Sequence, residues 1–257
     1  MDRRRFLINS SCLLAGNLLG LGFFSKVFAR EFSTEHLNEP PRIAVIIDDI
    51  GYSAEVARLF LKPGIPITFA VLPRLRNSYD LAVELRYRGH EIMLHQPMEP
   101  YNSGFDPGPG ALYVGYDENQ IVEIMNENIA GVPYAIGVNN HMGSRFTSCR
   151  KEIFETLNVV KQRNLFFVDS LTSSRSKAYR TALELHISTA CRNIFLDNVV
   201  DESAVINQLF KLRQHARVYG RAVGIGHPFP ETAQAIDTFV NKLNGRDVSF
   251  VHASDII

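Results

Sequence analysis

From residue 42 onward the chain alternates between two hydrophobic rhythms. Short apolar runs rich in Ile, Val and Phe, closed by Gly, Pro, Asn or Asp, read as strands over 43–48, 67–72, 91–95, 135–139, 165–169, 187–190 with 194–196, 222–227 and 248–252. Between them, apolar residues recurring every three or four positions predict helices near 53–61, 78–88, 118–129, 151–163, 202–219 and 231–243. Regular alternation of strand and helix implies parallel strands joined by right-handed crossovers. The number of units suits an α/β fold of the distorted (β/α) barrel type, with about seven parallel strands, better than an open doubly wound sheet. No glycine-rich phosphate loop follows a strand and no internal repeat is visible.

One connection breaks the rhythm. Residues 99–116 form a long loop rich in Gly and Pro that carries Tyr101, Phe105, Tyr113 and Tyr116. These rings could make a platform for a sugar, having an apolar face and, in tyrosine, a polar tip, or they could pack the loop onto the barrel.

The N-terminus has a different pattern. Asp2-Arg3-Arg4-Arg5-Phe6-Leu7 is followed by an apolar stretch to Phe24, then Lys26 and Val27-Phe28-Ala29. A basic region, an apolar region and a small-residue cleavage site occur here in the order of an export signal, and the paired arginines resemble a twin-arginine signal. Residues 1–29 are therefore expected to address the chain to the twin-arginine export machinery, with cleavage after Ala29 and a periplasmic or extracellular destination. An uncleaved membrane anchor is the alternative, weakened by Asn9, Ser10, Ser11 and Asn17; either way the membrane is met only through this segment. Residues 30–41, polar and ending in Pro40-Pro41, read as a linker, leaving 42–257 as a single domain.

With 46% hydrophobic and 21% charged residues in 257, the chain can bury one sizeable core. Beyond residue 29 it carries 23 Lys and Arg against 26 Asp and Glu, so a nucleic-acid-binding surface is not expected. Cys149 and Cys191 are the two cysteines beyond the signal. Without a spacing pattern they read as two unpaired thiols rather than a disulfide framework or a zinc knuckle.

Candidate chemistry lies at the strand ends. The first strand runs into Asp48-Asp49, the third into His95, the fourth into Asn139-Asn140-His141, the fifth into Asp169 and the strand over 222–227 into His227. One Asp of the doublet could cap the next helix, but two adjacent carboxylates repel and usually persist where a metal or proton relay uses them. In a barrel the C-terminal strand ends converge on one face, where sites are built. An Asp and two His leave one coordination position open on a divalent ion such as zinc, and another carboxylate and imidazole remain for proton transfer. This set describes hydrolysis of an amide or ester.

Two segments then carry a resemblance. Ile46-Ile47-Asp48-Asp49-Ile50-Gly51, with Gly89-His90-Glu91-Ile92-Met93-Leu94-His95, resembles the polysaccharide deacetylases of the chitooligosaccharide-deacetylase type. Asn139-Asn140-His141-Met142-Gly143-Ser144-Arg145-Phe146-Thr147, with Gly224-Ile225-Gly226-His227-Pro228, resembles their divergent bacterial branch. The likeness extends from Arg42 to the C-terminus. It implies a deacetylase-like barrel, one divalent metal ion, a carbohydrate substrate, Asp48 as catalytic base and Asp49 and His95 as metal ligands. It also implies His227 as the acid steadied by Asp169, and Arg145 as the residue holding the base. Where the family places a second ligand His, four residues after the first, this chain has Glu99; His141 is expected to replace it, with Glu99 as the fallback. The expected activity is removal of N- or O-acetyl groups from an envelope or extracellular glycan. A catalytically inactive glycan-binding or envelope-organising protein is the second class, and a metal-dependent phosphoesterase the third, disfavoured because few cations besides Arg145 could hold a phosphate.

Overall fold

The computed structural model of the chain describes residues 40–243 and 247–257, so the expected export signal and most of the expected linker lie outside the described residues. Nine strands form one sheet: β1 Arg42–Ile50, β2 Thr68–Val71, β3 Glu91–Met98, β4 Ala135–Met142, β5 Phe166–Asp169, β6 Thr189–Cys191, β7 Ile194–Phe195, β8 Arg221–Gly226 and β9 Ser249–Val251. Their order is β6-β5-β4-β3-β2-β1-β8-β7, and every pair is parallel. Residues 42–47 of β1 pair with β8, which leaves the other edge of β1 to be shared, by β9 at Arg42–Ala44 and by β2 from Ile46 onward. Around the sheet lie α1 Ala54–Leu59, α2 Ser78–Tyr87, α3 Glu118–Gly131, α4 Arg150–Gln162, α5 Ala178–Glu184, α6 Glu202–Tyr219 and α7 Pro230–Lys242. None of the described helices is long and apolar enough to cross a membrane.

The barrel is distorted at one seam. β6 and β7 are short neighbours in sequence on opposite ends of the sheet order, and the chain crosses between them at Arg192-Asn193. The Arg192 amide donates to the Asp169 carbonyl at 3.0 Å, and the Asn193 amide donates to the Val223 carbonyl at 2.9 Å. Two residues thus bridge β5 and β8 where a further full strand would close a regular barrel.

Side-chain alternation along β1 divides the core in two. Ile43, Val45 and Ile47 join Phe69, Leu81, Ile153 and Leu209 in the layer between sheet and helices. Ala44 and Ile46 face inward with Ala70, Met93, Phe166, Val168 and Ile225. With both faces covered, the strands need continuous rather than alternating hydrophobicity, which is why they stand out as apolar runs. Gly137 on β4 lies in register with Phe166 on β5 and makes room for its ring: a Cβ at Gly137 would lie 2.3 Å from two Phe166 ring carbons.

Two elements depart from the sequence reading. α5 was not expected, because the side chains it buries, Ala178, Thr181 and Ala182, are too small and too weakly apolar to mark a period. The stretch read as 187–190 with 194–196 is two separate strands paired to different partners. Helix starts follow ordinary capping chemistry: Ser53, Asp117 and Asp201 each accept an amide of the first turn, and Asp117 with Gln120 forms a reciprocal capping box.

Candidate active site

Adjacent residues of a regular strand point to opposite faces, so the two carboxylates of the doublet should not meet. Asp48 continues the inward series of Ala44 and Ile46, whereas Asp49 would face the helices. The register of β1 against β2 slips between Ile47 and Ile50, three steps on β1 matching two on β2, and Asp49 has φ +56°. That left-handed conformation is unusual for a residue with a Cβ. It turns Asp49 back toward the barrel mouth, so that both carboxylates reach one imidazole: His95 Nε2 lies 3.2 Å from Asp49 Oδ1 and 3.6 Å from Asp48 Oδ2.

β3 and β4 deliver the imidazoles. Their register pairs His95 with Asn139 and Pro97 with His141, so Asn139 and His141 project on the same face as His95. His141 Nδ1 is 2.9 Å from Asp49 Oδ1 and 3.1 Å from His95 Nε2. Asp49, His95 and His141 form a group that could hold a metal ion, their donor atoms all lying within 4.8 Å of one another. Asp49 Oδ1 is buried and has no hydrogen-bond partner despite two ring nitrogens close by. A buried carboxylate oxygen left unsatisfied beside two ring nitrogens suits a cation, and one carboxylate with two imidazoles leaves room for water. Burial pushes the Asp49 carboxyl pKa up, but His141 and His95 outweigh it and hold it well below the usual carboxylate range.

Asn139 fixes the roles of its neighbours. Its Nδ2 donates to Asp48 Oδ1 at 2.7 Å, and its Oδ1 lies 2.7 Å from His95 Nδ1. Ionised Asp48 can only accept, so the amide must present its NH2 there and its oxygen to His95. The Nδ1 of His95 therefore carries a proton, which leaves Nε2, the nitrogen that faces Asp49 and His141, as the ring's ligand atom for a cation. Asp48 is 3% and His95 1% exposed, and desolvation raises the Asp48 pKa even against the attraction of His95 and His227. A carboxylate so shifted is a better base near neutral pH.

The expected partnership of Asp169 with His227 is not the one found. His227 Nδ1 lies 2.9 Å from Asp197 Oδ1, and Asp197 Oδ2 accepts the His227 amide and, at 2.9 Å, the Thr232 hydroxyl. Burial lowers the His227 pKa, but the bond to Asp197 and the charges of Asp48, Asp197 and Asp49 outweigh it and raise the pKa to about 9. Asp169 is fully buried and holds its own loop, accepting from the Leu171 amide at 2.9 Å, the Ser176 hydroxyl at 2.7 Å and the Tyr179 amide at 3.1 Å. Asp197 was missed although it directly follows the expected strand 194–196, the position that singled out Asp48 and Asp169 at their own strand ends.

Arg145 is a second correction. It does not hold Asp48: its Nη1 pairs with Glu99 Oε1 at 2.7 Å on a half-exposed edge. Glu99 in turn accepts the Val114 amide at 2.8 Å, so this pair clamps the 99–116 loop, and Glu99 is not among the clustered metal-type ligands. The support expected of Arg145 comes to Asp48 from Asn139. In the loop itself Tyr113 and Tyr116 pack edge to face at 5.7 Å and Tyr116 reaches the core, whereas Tyr101 and Phe105 are exposed. Cys149 and Cys191 are free thiols.

Asp48, His95, His141 and His227 line one cavity of about 520 Å³, together with Arg192, Phe195, Leu171 and Asn198. A parallel α/β barrel with a buried carboxylate, a metal-type Asp-His-His cluster and an Asp-backed histidine at its mouth brings together groups able to bind a cation and to exchange protons. Residues 45–257 match the model of the divergent polysaccharide deacetylases, and the chain belongs to that family. It is 31% identical over 217 residues to the uncharacterized protein YibQ of Escherichia coli strain K12, covering 84% of this chain and 67% of that one. Among solved structures it resembles the uncharacterized protein ATU2773 of Agrobacterium tumefaciens C58, with TM-score 0.80, 24% identity and coverage of 85% and 90% of the two chains. It also shares its fold with a mutant of BA3943, described as a CE4 family pseudoenzyme, at TM-score 0.53 and 12% identity over 85% of this chain and 68% of that one.

Proposed function

We propose that the protein is an exported, metal-dependent hydrolase that removes acetyl groups from an envelope or extracellular polysaccharide. The reading is carried by the meeting of Asp48, the Asp49-His95-His141 cluster and the Asp197-backed His227 on one cavity. A likeness in fold to a pseudoenzyme does not bear on activity; the side chains at the barrel mouth do. Asp49, His95 and His141 would hold one divalent ion, zinc being the natural choice for this donor set. Such an ion lowers the pKa of water and polarises a carbonyl.

The remaining steps belong to the chain. Asp48, held by Asn139, accepts the proton of the attacking water. His227, kept protonated at neutral pH by Asp197, delivers a proton to the departing nitrogen or oxygen. Tyr101 and Phe105, exposed on the long loop, offer rings for sugar stacking. The order of basic, apolar and small residues in 1–29 supports delivery by the twin-arginine machinery to the periplasm or beyond.

The test is elemental mass spectrometry on purified residues 30–257, followed by acetate release from acetylated glycans by the zinc-loaded protein. About one equivalent of metal and acetate release that depends on it are expected. Glycan binding without acetate release from any acetylated sugar would replace the reading with that of a glycan-binding protein.

A further inference from the structure

Arg192 has a guanidinium whose surroundings explain only part of it. It lies at the barrel seam, where Nε donates to the Ser170 carbonyl at 2.7 Å and Nη2 to the Leu171 carbonyl at 3.0 Å. Its Cζ lies 5.0 Å from the centre of the Phe195 ring, which itself packs 5.1 Å from His227. Two of the five N–H donors are thus spent on latching the 170–171 turn. Nη1 makes no hydrogen bond to the described residues, and no described carboxylate lies within ion-pair distance of the group. The neighbouring anions are committed elsewhere, Asp48 to Asn139 and Asp169 to its own loop.

This half-buried cation faces the cavity that holds Asp48 and His227. A latch alone needs only two donors to carbonyls, and burying a permanent charge for that purpose is costly without a counter-ion. A planar guanidinium fixed along one edge, with Nη1 left over, suits a carboxylate. On the reading of this cavity as a deacetylase site, we propose that Arg192 is a specificity-determining residue that recognises a carboxylate on the glycan. The substrate class is then an acetylated polysaccharide bearing hexuronic or other carboxyl-substituted sugars next to the acetylated unit. Asn198, which lines the same cavity, is placed to meet neutral hydroxyls.

The probe is a pair of acetylated oligosaccharides, one containing a hexuronic acid and the other its carboxyl-reduced neutral counterpart. Their binding is measured by calorimetry to the zinc-loaded parent, Arg192→Gln and Arg192→Lys, each checked for folding by its thermal transition. The parent is expected to favour the acidic glycan by about tenfold or more, as a charge-assisted contact allows. Arg192→Gln should abolish the preference, and Arg192→Lys should retain part of it as a point charge. Equal binding of the two glycans by the parent would overturn the proposal, as would an equal loss of both in Arg192→Gln, the behaviour of a mere latch. Binding needs no turnover. An acid preference without acetate release therefore refutes the deacetylase reading alone, whereas acetate release without an acid preference refutes only the role of Arg192.

Discussion

Asn139 and Asp48, 91 positions apart in sequence, are joined by a buried 2.7 Å hydrogen bond, and the same amide reaches His95 through its oxygen. One uncharged side chain thereby orients both the Asp48 carboxylate and the ring of a metal-type ligand. Truncation by Asn139→Ala should weaken zinc binding by about 10- to 100-fold, the usual scale for losing a group that orients a ligand. Competition with a chelator measures this, and zinc affinity equal to the parent's would show that Asn139 is only structural.

Asp48→Asn should abolish acetate release and leave bound metal near the parent level, because the clustered ligand atoms belong to Asp49, His95 and His141. Turnover that survives this replacement would remove Asp48 from the role of base.

Measured metal content also separates the proposed ligands from the fallback residue. His95→Ala and His141→Ala should each lose most of the bound metal. Glu99→Ala should keep it while freeing Arg145 and the Val114 amide, so that the 99–116 loop is cleaved faster by protease. Loss of metal in Glu99→Ala would falsify the ligand set drawn here.

On the deacetylase reading, His227 should govern the alkaline side of the pH profile. Its pKa in the folded protein is raised to about 9, so the protonated form required of an acid persists through neutral pH and is lost as pH rises through about 9. The stabilising pair with Asp197 follows the same sign, fully present below the ordinary imidazole value of about 6.5 and lost as pH climbs through about 9. Asp197→Asn should move the alkaline limb of kcat/KM down toward that ordinary range. Asp169→Asn should leave the limb in place and cost about 1–3 kcal/mol of stability through its loop contacts. The opposite pattern would restore Asp169 as the partner of His227.

Gly137→Ala tests the inner core. With Phe166 in register and its ring 2.3 Å from the added carbon, the substitution should cost about 1–3 kcal/mol in urea unfolding. Phe166→Leu in that background should recover part of the loss. No change in the midpoint would mean that the ring has free space to move.

Much of the fold was legible because parallel strands covered on both faces must be apolar along their length, and such runs need no partner to be recognised. Asp48, Asp49, His95, His141 and His227 were visible for a related reason: each interrupts or ends an apolar run where a hydrophobic residue would serve packing better. α5 was not legible, since Ala178, Thr181 and Ala182 bury too little apolar surface to set a period. Asp197 carried the same strand-end signal as Asp169, and nothing local distinguishes a carboxylate turned toward His227 from one turned into its own loop.

By itself, the sequence determined the order of the strands and of most helices, and which chemically unusual residues stand at strand ends. These are properties of a chain read a few residues at a time. Only the tertiary structure decided that Asp49 turns inward, that Asn139 rather than Arg145 steadies Asp48, and that Asp197 rather than Asp169 backs His227. Each of these depends on register, a one-residue slip between β1 and β2 or the crossing of the seam at Arg192-Asn193. Register is set by contacts among strands far apart in the chain, and moving a strand by one residue exchanges the faces of all its side chains.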